Sequence, residues 1–301
     1  QENEKGGKAV HNESRQVVGG TLYVVATPIG NLGDITQRAL EVLRGVDVVA
    51  AEDTRDSGRL LNHYGIAARM VALHEHNERT AGAKIVEWLR EGKSVALISD
   101  AGTPAISDPG AHLVAAARAA GFKVVPLPGA NAAVCALSAA GLAAPHFLFY
   151  GFLPHGAAER RRELEALKES PYLLVFYESP HRILGCVADL RTVLGDARQI
   201  TFARELTKLF ETIHSVALGE AEAWLEADAN QQKGEFVLLV SGAEIHKEVG
   251  IGEAGRRTLE LLLAELPLKQ AVKLAVEISG EKKNALYELA LALKKEGADQ
   301  S

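Results

Sequence analysis

The chain has 301 residues, of which 47% are hydrophobic and 24% are charged, as in ordinary soluble globular proteins of up to two domains. Its net charge of −6 argues against nucleic-acid binding through an overall positive field. No apolar run has the length of a membrane span and no secretory signal pattern opens the chain, so no membrane contact is expected. Cys135 and Cys186 lie in apolar surroundings, which predicts buried free thiols in a reducing cytoplasm.

From residue 21 onward, apolar strand-like runs alternate with helical patterns. Strands are predicted at 21–27, 46–51, 69–73, 93–99 and 123–127, with helices up to Arg44, at 78–90 and at 111–120. Short apolar strands separated by helices predict a parallel sheet that is covered on both faces. The polar residues 1–20 contain two Gly-Gly pairs and are predicted to be a disordered extension.

Two helix starts are predicted from capping residues. Asp34 with Gln37 resembles a capping box for the helix that runs to Arg44. Asp108 followed by Pro109 predicts an N-cap and a first helical residue for the helix at 111–120.

The second half of the chain predicts a mixed α/β domain followed by helices. Strands are predicted at 147–150, 172–177, 199–203, 214–218 and 235–240, and the last three have little helix between them, which favours antiparallel pairing. Residues 254–296 contain three helical patterns, interrupted at Leu266-Pro267 and at Gly280, and resemble a helix-turn-helix. The predicted domains are therefore 21–128, 129–245 and 250–298, with residues 1–20 as the extension.

Several loops are predicted at the carboxyl ends of strands, where open α/β sheets bind ligands. They are the segments 28–33, 52–55, 99–104 and 129–132. None carries a dinucleotide fingerprint, a phosphate-binding P-loop or a nucleophile elbow. His74-Glu75-His76 has no evident third ligand, so no metal site is predicted. The residues alone indicate a small-molecule cleft between two α/β domains and leave its chemistry open.

The same strand-end pattern appears in the second half, with polar clusters at 177–182, 203–208 and 234–235. These motifs resemble those of the tetrapyrrole methylase-like methyltransferases. The resemblance also rests on the first-half segments 27–36, 51–55 and 99–110, on the pair Pro128-Gly129 and on the run 151–154. The closest resemblance is to the branch that methylates small-subunit ribosomal RNA, and it covers about residues 20–296.

The resemblance implies two α/β domains of the tetrapyrrole methylase type with a cleft between them, plus a small C-terminal helical domain. It implies S-adenosylmethionine as the methyl donor in that cleft. It also implies transfer to the ribose 2′-hydroxyl of a cytidine in the decoding region of 16S ribosomal RNA, within the 30S subunit, by a homodimer.

The resemblance further suggests site residues. Donor-binding positions are Pro28, Asp100, Ala101, Gly102, Thr103, Pro104, Ser107, Gly129, Asn131, Ala132, Phe152, Leu153, Tyr177, Leu206 and Glu235. For catalysis we expect Glu178 or Glu205 to take the proton or orient the hydroxyl, and Lys208 to lower the pKa of that hydroxyl. The competing idea is that alignment alone suffices, with no dedicated base.

RNA contacts are expected from local basic groups, because the segment 250–301 has eight Lys or Arg and eight Asp or Glu. The candidates are Arg160-Arg161-Arg162, Lys273 and Lys282-Lys283. Two alternatives stay open: a methyltransferase that acts on a tetrapyrrole, and a non-enzymatic nucleic-acid regulator that reads its target through the helix-turn-helix.

Overall fold

The computed structural model describes residues 16–244 and 251–298, with side chains to 294. The predicted extension at 1–20 therefore lies mostly outside the described residues. The chain divides into two compact units between Ala243 and Glu244, and both sheets belong to the first unit.

The first sheet has five parallel strands in the order β3-β2-β4-β1-β5. The strands are β1 (Thr21–Val25), β2 (Val48–Ala51), β3 (Met70–Ala72), β4 (Val95–Ile98) and β5 (Lys123–Leu127). Helices α1 (Gln37–Gly45), α2 (Thr54–His63), α3 (Glu78–Arg90) and α4 (Ala111–Ala119) connect them. Strands β2 and β4 are buried along their whole length, which is why they read as unbroken apolar runs. The predicted parallel sheet is confirmed.

Both predicted helix starts are wrong. Thr36 caps α1 by accepting a hydrogen bond from the Ala39 N–H, and Asp34 instead ends a short 3-10 turn. The N-cap of α4 is Gly110, whose φ of 132° suits glycine. The buried carboxylate of Glu78 reaches over from α3, where its Oε1 accepts the N–H groups of Gly110 and His112, each at 2.9 Å. Asp108 is consequently free of the capping role.

The second sheet has the order β6-β7-β10-β8-β9, with β6 parallel to β7 and the other pairs antiparallel. This confirms the antiparallel pairing predicted for the last three strands. The strands are β6 (Phe147–Phe152), β7 (Leu173–Glu178), β8 (Gln199–Arg204), β9 (Thr212–Ala217) and β10 (Phe236–Val240). The helices of this half are α5 (Ala132–Ala139), α6 (Ala157–Leu167), α7 (Ile183–Leu194) and α8 (Leu218–Ala227).

Two glycines permit the loops of the two sheets to meet closely. Gly151 lies at a register shift in β6 with a φ of 83°, and a Cβ there would stand 2.7 Å from the Ser107 hydroxyl oxygen. Gly30 has a φ of 155°, and a Cβ there would stand 2.5 Å from the side chain of Lys208. Only a residue without a side chain fits at either contact.

The C-terminal unit consists of the predicted three helices in its described part, namely α9 (Glu253–Glu265), α10 (Leu268–Ser279) and α11 (Lys283–Ala298). Pro267 is the N-cap of α10, and Gly280 is its C-cap with a φ of 72°. Buried apolar residues join the helices into a small core of their own, centred on Leu259, Val272 and Leu286. No helix in the described ranges is long and apolar enough to cross a membrane.

Candidate active-site cleft

The main cleft lies where the carboxyl-end loops of the first sheet meet the second sheet. Its lining is contributed by Ile29, Ala101, Gly102, Thr103, Ile106, Ser107, Asp108, Asn131, Ala132, Phe152, Tyr177, Glu178, Ser179, Ala203, Leu206, Lys208, Glu235, Phe236 and Val237. Loops from at least four strand ends thus converge on one pocket, as strand-end sites in α/β proteins do.

The loop after β4 forms one wall and is fixed by hydrogen bonds between main-chain groups. Thr27 and Gly102 exchange two of them, at 2.9 and 3.0 Å, which ties this loop to the end of β1. The Thr103 hydroxyl donates to the Ala130 carbonyl at 3.0 Å, and this joins the loop to the segment after β5. The protein's own hydrogen bonds therefore fix this wall.

Backbone strain is concentrated in the loops of this cleft. Among the described residues, the non-glycine residues with positive φ are Ala105, Ser107, Glu205 and Thr207. The first two lie in the loop after β4 and the other two in the loop after β8. Such residues cost roughly 1–3 kcal/mol each and cluster at ligand sites, where the surrounding structure holds them.

Aromatic side chains form the opposite wall. The Tyr177 ring makes edge contacts with Phe149 at 5.0 Å and with Phe152 at 5.6 Å between ring centroids. The Tyr177 hydroxyl accepts a hydrogen bond from the Ala133 N–H at 3.3 Å, and burial raises the pKa of this hydroxyl. Phe152 is exposed to the cleft, so an apolar or aromatic part of a ligand can pack against it.

Lys208 occupies the centre of an ionic network. Its Nζ lies 2.7 Å from Glu235 Oε2 and 3.2 Å from Glu205 Oε1, and Glu205 Oε1 also accepts the Glu235 N–H at 2.9 Å. Burial alone would raise the pKa of Glu205, but the Glu235 N–H and the Lys208 ammonium outweigh it, and the net shift is downward. Burial opposes the charge of Lys208 as well, yet the two carboxylates leave its pKa raised. The network is charged at neutral pH.

Glu178 is a fully buried carboxylate at the end of β7. Its Oε1 accepts the Ser179 N–H at 2.8 Å and lies 3.2 Å from Nε of Arg182. The guanidinium of Arg182 also donates to the Leu153 and Pro154 carbonyls, so this ion pair joins the ends of two strands. The other oxygen of Glu178, Oε2, is buried without a hydrogen-bond partner among the described residues.

A second group of carboxylates lies at the end of the first sheet. Burial raises the pKa of Glu52 to about 7, and repulsion from Asp100, Asp108 and Asp53 adds to it. Burial likewise raises the pKa of Asp108 to about 6, with a contribution from Asp100. These carboxyl groups hold protons more tightly than free side chains do, because ionising one of them places it beside other negative charges.

Most of the residues suggested by the resemblance come together in the cleft. Of the suggested donor-binding and catalytic residues, those that line it are Ala101, Gly102, Thr103, Ser107, Asn131, Ala132, Phe152, Tyr177, Glu178, Leu206, Lys208 and Glu235. Asn131 also caps α5 through its side-chain oxygen.

The remaining suggested residues lie outside the lining. Pro28, Pro104 and Leu153 are buried, and Leu153 belongs to the core of the second sheet, so its side chain is not available to a ligand. Asp100 is exposed and accepts the Asp53 N–H at 3.0 Å, Gly129 is exposed, and Glu205 contributes through Lys208.

Sequence reasoning missed several lining residues and misplaced one cation. Asp108 was assigned to a helix cap, and the neighbouring Ile106 had no polar signal to mark it. Arg160, expected to contact phosphate, is buried and pairs with Asp189 at 2.7 Å, while it also donates to the Pro154 and His155 carbonyls. Arg161 and Arg162 remain exposed. The pattern Arg-Arg-Arg could not show that its first member faces inward on α6.

The cleft fits a cationic, partly apolar donor such as S-adenosylmethionine. Of the described residues that line it, Asp108 and Glu235 carry carboxylates that are not fully buried, and the cation Lys208 is already paired with Glu205 and Glu235. An excess of acceptors suits a sulfonium and an ammonium group and disfavours phosphate groups. Ala101 is exposed on the loop after β4, so the cleft also offers main-chain groups beside its charged residues.

Comparison with known proteins shows the family to which the chain belongs. The family model of Tetrapyrrole (Corrin/Porphyrin) Methylases matches residues 21–222, and the model of the RsmI C-terminal HTH domain matches residues 249–294. In fold, the chain is similar to the methyltransferase CobJ, with a TM-score of 0.56 and 22% identity over 74% of this chain and 95% of that one. A cobalt precorrin-4 methyltransferase gives a TM-score of 0.54 at 17% identity over 73% and 94% of the two chains.

Curated relatives are much closer in sequence. The Pseudomonas aeruginosa protein named ribosomal RNA small subunit methyltransferase I is 57% identical to this chain, over 90% of this chain and 97% of that protein. The Neisseria meningitidis serogroup B protein of that name is 49% identical over 95% of this chain and 98% of its own length. The chain therefore belongs to the tetrapyrrole methylase family, and within it to the ribosomal RNA small subunit methyltransferases I, which are S-adenosylmethionine-dependent enzymes.

Proposed function

We propose that this chain methylates the ribose 2′-hydroxyl of a cytidine in the decoding region of 16S ribosomal RNA, with the 30S subunit as its substrate. The observation that carries the proposal is the sequence identity of 49–57% with relatives that are named for small-subunit ribosomal RNA. The structural neighbours compared above are at most 22% identical to this chain, which supports a shared fold only.

S-adenosylmethionine supplies a reactive methyl group on a positively charged sulfur, so the protein's main contribution is alignment and charge. The Phe152 and Tyr177 rings would pack against the flat or apolar parts of donor and acceptor. Backbone groups of the 101–103 segment would hold the donor's polar groups. Well-oriented reactants gain about 7–11 kcal/mol relative to free encounter, so rigid walls matter more here than bond-making side chains.

Lys208 and the ion pair between Glu178 and Arg182 would have positioning roles at the cleft. The ammonium of Lys208 lies between two carboxylates, which hold it in one place and keep it charged. Its role would be to stabilise negative charge that develops on the acceptor oxygen. Glu178 is committed to Arg182 and to a main-chain N–H and its side chain is fully buried, so its role would be to hold the end of β7 in place.

The C-terminal helical unit would serve the RNA. Lys269, Lys273, Lys282 and Lys283 are exposed on its helices or turns, where they can contact phosphate groups. Deleting residues 250–301 should reduce methylation of small subunits much more than it reduces donor binding. Equal loss of both would mean that this unit is needed for folding instead.

We further propose that the protein acts as a homodimer in the cytoplasm. The loop between β8 and β9 supports an interface, because Leu209 and Phe210 are exposed on it. Arg204 fixes this loop by donating to the Lys233 and Phe210 carbonyls. Light scattering coupled to size exclusion gives the mass directly, and a mass near 32 kDa for the wild type would refute the dimer.

The test of the reaction is methyl transfer from labelled donor to 30S subunits isolated from cells that lack this modification. Naked 16S RNA and uroporphyrinogen are the parallel acceptors. Label in the ribose of one cytidine of the subunit RNA is the expected result. Label in uroporphyrinogen alone would identify a tetrapyrrole enzyme, and failure to bind the donor at all would favour the regulator.

A further inference from the structure

Asp108 differs from Glu178 and Glu205 because no main-chain group or cation among the described residues holds it. Glu178 is bound to Ser179 and Arg182, and Glu205 to Glu235 and Lys208. Asp108 lines the cleft and is half-buried, and its hydrogen-bonding neighbour among the described residues is the Ser99 hydroxyl. A proton can therefore add to Asp108 without breaking an ion pair.

The surroundings of Asp108 also favour proton uptake. Asp100 and Glu52 approach it from the ends of β4 and β2, and both interact with it by repulsion. From the other side, Tyr177 and Glu178 of β7 share the cleft lining with it, and its charge acts on the Tyr177 hydroxyl. Among the residues that the structure describes, the Ser99 hydroxyl stabilises the negative charge of Asp108 and no lysine or arginine adds to it, so a proton or a cationic ligand would relieve that charge further.

The loop geometry holds Asp108 at this wall. Ser107, immediately before it, has a φ of 59°, and Gly110, two residues after it, begins α4 under the cap supplied by Glu78. Because Glu78 satisfies the first N–H groups of α4, the Asp108 carboxylate is not drawn back to the helix. Its carboxylate stays at the cleft.

From these contacts we propose that Asp108 is the general base that receives the proton of the acceptor hydroxyl. The inference rests on the proposed methyl transfer to a ribose. The hydroxyl oxygen forms a bond to the methyl carbon while the bond from that carbon to sulfur breaks. The electron pair of the broken bond stays on sulfur, which becomes a neutral thioether, and the hydroxyl proton passes to an Asp108 oxygen. One positive and one negative charge disappear together, so the step leaves no unpaired charge in the cleft.

The pKa of about 6 suits this role, because a base that titrates just below neutral pH is ionised in the cell and still takes a proton readily. The lowered pKa of Glu205 makes that residue a weaker base. Glu178 would have to give up its pairing with Arg182 in order to act. The earlier choice between Glu178 and Glu205 thus gives way to a third carboxylate, with those two as positioning residues.

The experiment compares wild-type enzyme with Asp108→Asn, using unmodified 30S subunits, saturating donor and single-turnover conditions from pH 5 to 9. We expect the methyl-transfer rate to fall about 10²–10⁴-fold, which is the usual contribution of a general base. The donor Kd, measured by calorimetry, should stay within about threefold of the wild-type value. The rate rise with an inflection near pH 6 should be present in the wild type and absent in the variant.

Two further variants sharpen the result. Asp56→Asn makes the same chemical change at an exposed position on α2, outside the cleft, and should leave rate and pH profile unchanged. Asp100→Asn removes the charge that repels the Asp108 carboxylate, so the inflection should move to lower pH.

The outcomes separate the possibilities. A rate within threefold of wild type with the same inflection in Asp108→Asn would overturn the proposal. A donor Kd weakened tenfold or more, with the saturated rate unchanged, would overturn it too and would show that Asp108 holds the sulfonium. If instead the wild type transfers no methyl group to the subunits, the proposed function itself fails.

Discussion

Gly234 supports the Lys208 network, and replacing it by alanine tests how far the network depends on that one position. Its φ is +86°, and a Cβ there would stand 2.3–2.4 Å from the Glu205 side chain. The clash involves three atoms of Glu205, from Cγ to Oε1, so the carboxylate must swing away. That movement breaks its contacts with the Glu235 N–H at 2.9 Å and with Lys208 Nζ at 3.2 Å.

The cost has two parts. An alanine in the left-handed region costs about 1–2 kcal/mol compared with glycine. Each hydrogen bond that the carboxylate loses adds roughly 0.5–1.5 kcal/mol. We therefore expect Gly234→Ala to lower the free energy of unfolding by about 2–5 kcal/mol.

The matched control is Gly65→Ala. Gly65 has a φ of +64°, and a Cβ there would meet nothing within 4 Å, so this variant carries only the backbone cost of about 1–2 kcal/mol. Urea unfolding measures both losses, and calorimetry measures donor binding. The donor Kd should rise in Gly234→Ala, where Lys208 is released, and should stay unchanged in Gly65→Ala. Equal losses of stability in the two variants, with equal donor Kd values, would refute the reasoning.

Three other variants test the parts of the fold that hold the cleft. Glu78→Ala leaves the first N–H groups of α4 without an acceptor and should lower the free energy of unfolding, measured in urea, by about 1–3 kcal/mol. Glu87→Ala, on the exposed face of α3, should lower it by less than about 0.5 kcal/mol. Arg160→Ala removes one of the two guanidinium partners of Asp189, the other being Arg161, and should cost about 1.5–3 kcal/mol, whereas the exposed Arg162→Ala should be nearly neutral; similar values for the two would contradict the buried pair. Asp108→Asn should stabilise the protein at pH 8 and not at pH 4, because the pKa of Asp108 is raised from 3.8 to about 6 in the folded state. Between those values the folded state binds the proton more tightly than the unfolded state, so stability falls as the pH rises through this window. An unchanged difference between wild type and variant across that range, measured by urea unfolding, would contradict the raised pKa.

The parallel sheet and the strand-end loops were accessible from the sequence because burial on both faces leaves an unmistakable pattern. Strands β2 and β4 are apolar throughout, and the polar residues that follow them mark the loops where the cleft forms. The antiparallel pairing of β8 and β9 followed from the short connection between them.

Helix caps and inward-facing charges were not accessible, since both depend on residues distant in the chain. Glu78 caps a helix that begins 33 residues later, at Ala111, which no local pattern could indicate. Arg160 reads as part of a surface basic run until α7 brings Asp189 beside it. The local capping rule assigned the N-cap of α4 to Asp108, whereas the carboxylate of Glu78 accepts the hydrogen bonds there.

This exchange of roles connects the stability of the fold with its chemistry. Had Asp108 capped α4, its charge would be neutralised by main-chain N–H groups and its pKa would be lowered, as hydrogen-bonded carboxylates show. Glu78 supplies the cap from a buried position on α3 and leaves Asp108 among like charges at the cleft wall. The protein thereby keeps the Asp108 carboxylate at the cleft wall although its charge lowers stability. Ionisable groups with such shifted pKa values are characteristic of sites where protons move. If Asp108→Asn gains stability at pH 8 and loses methyl transfer, both effects will have the same origin.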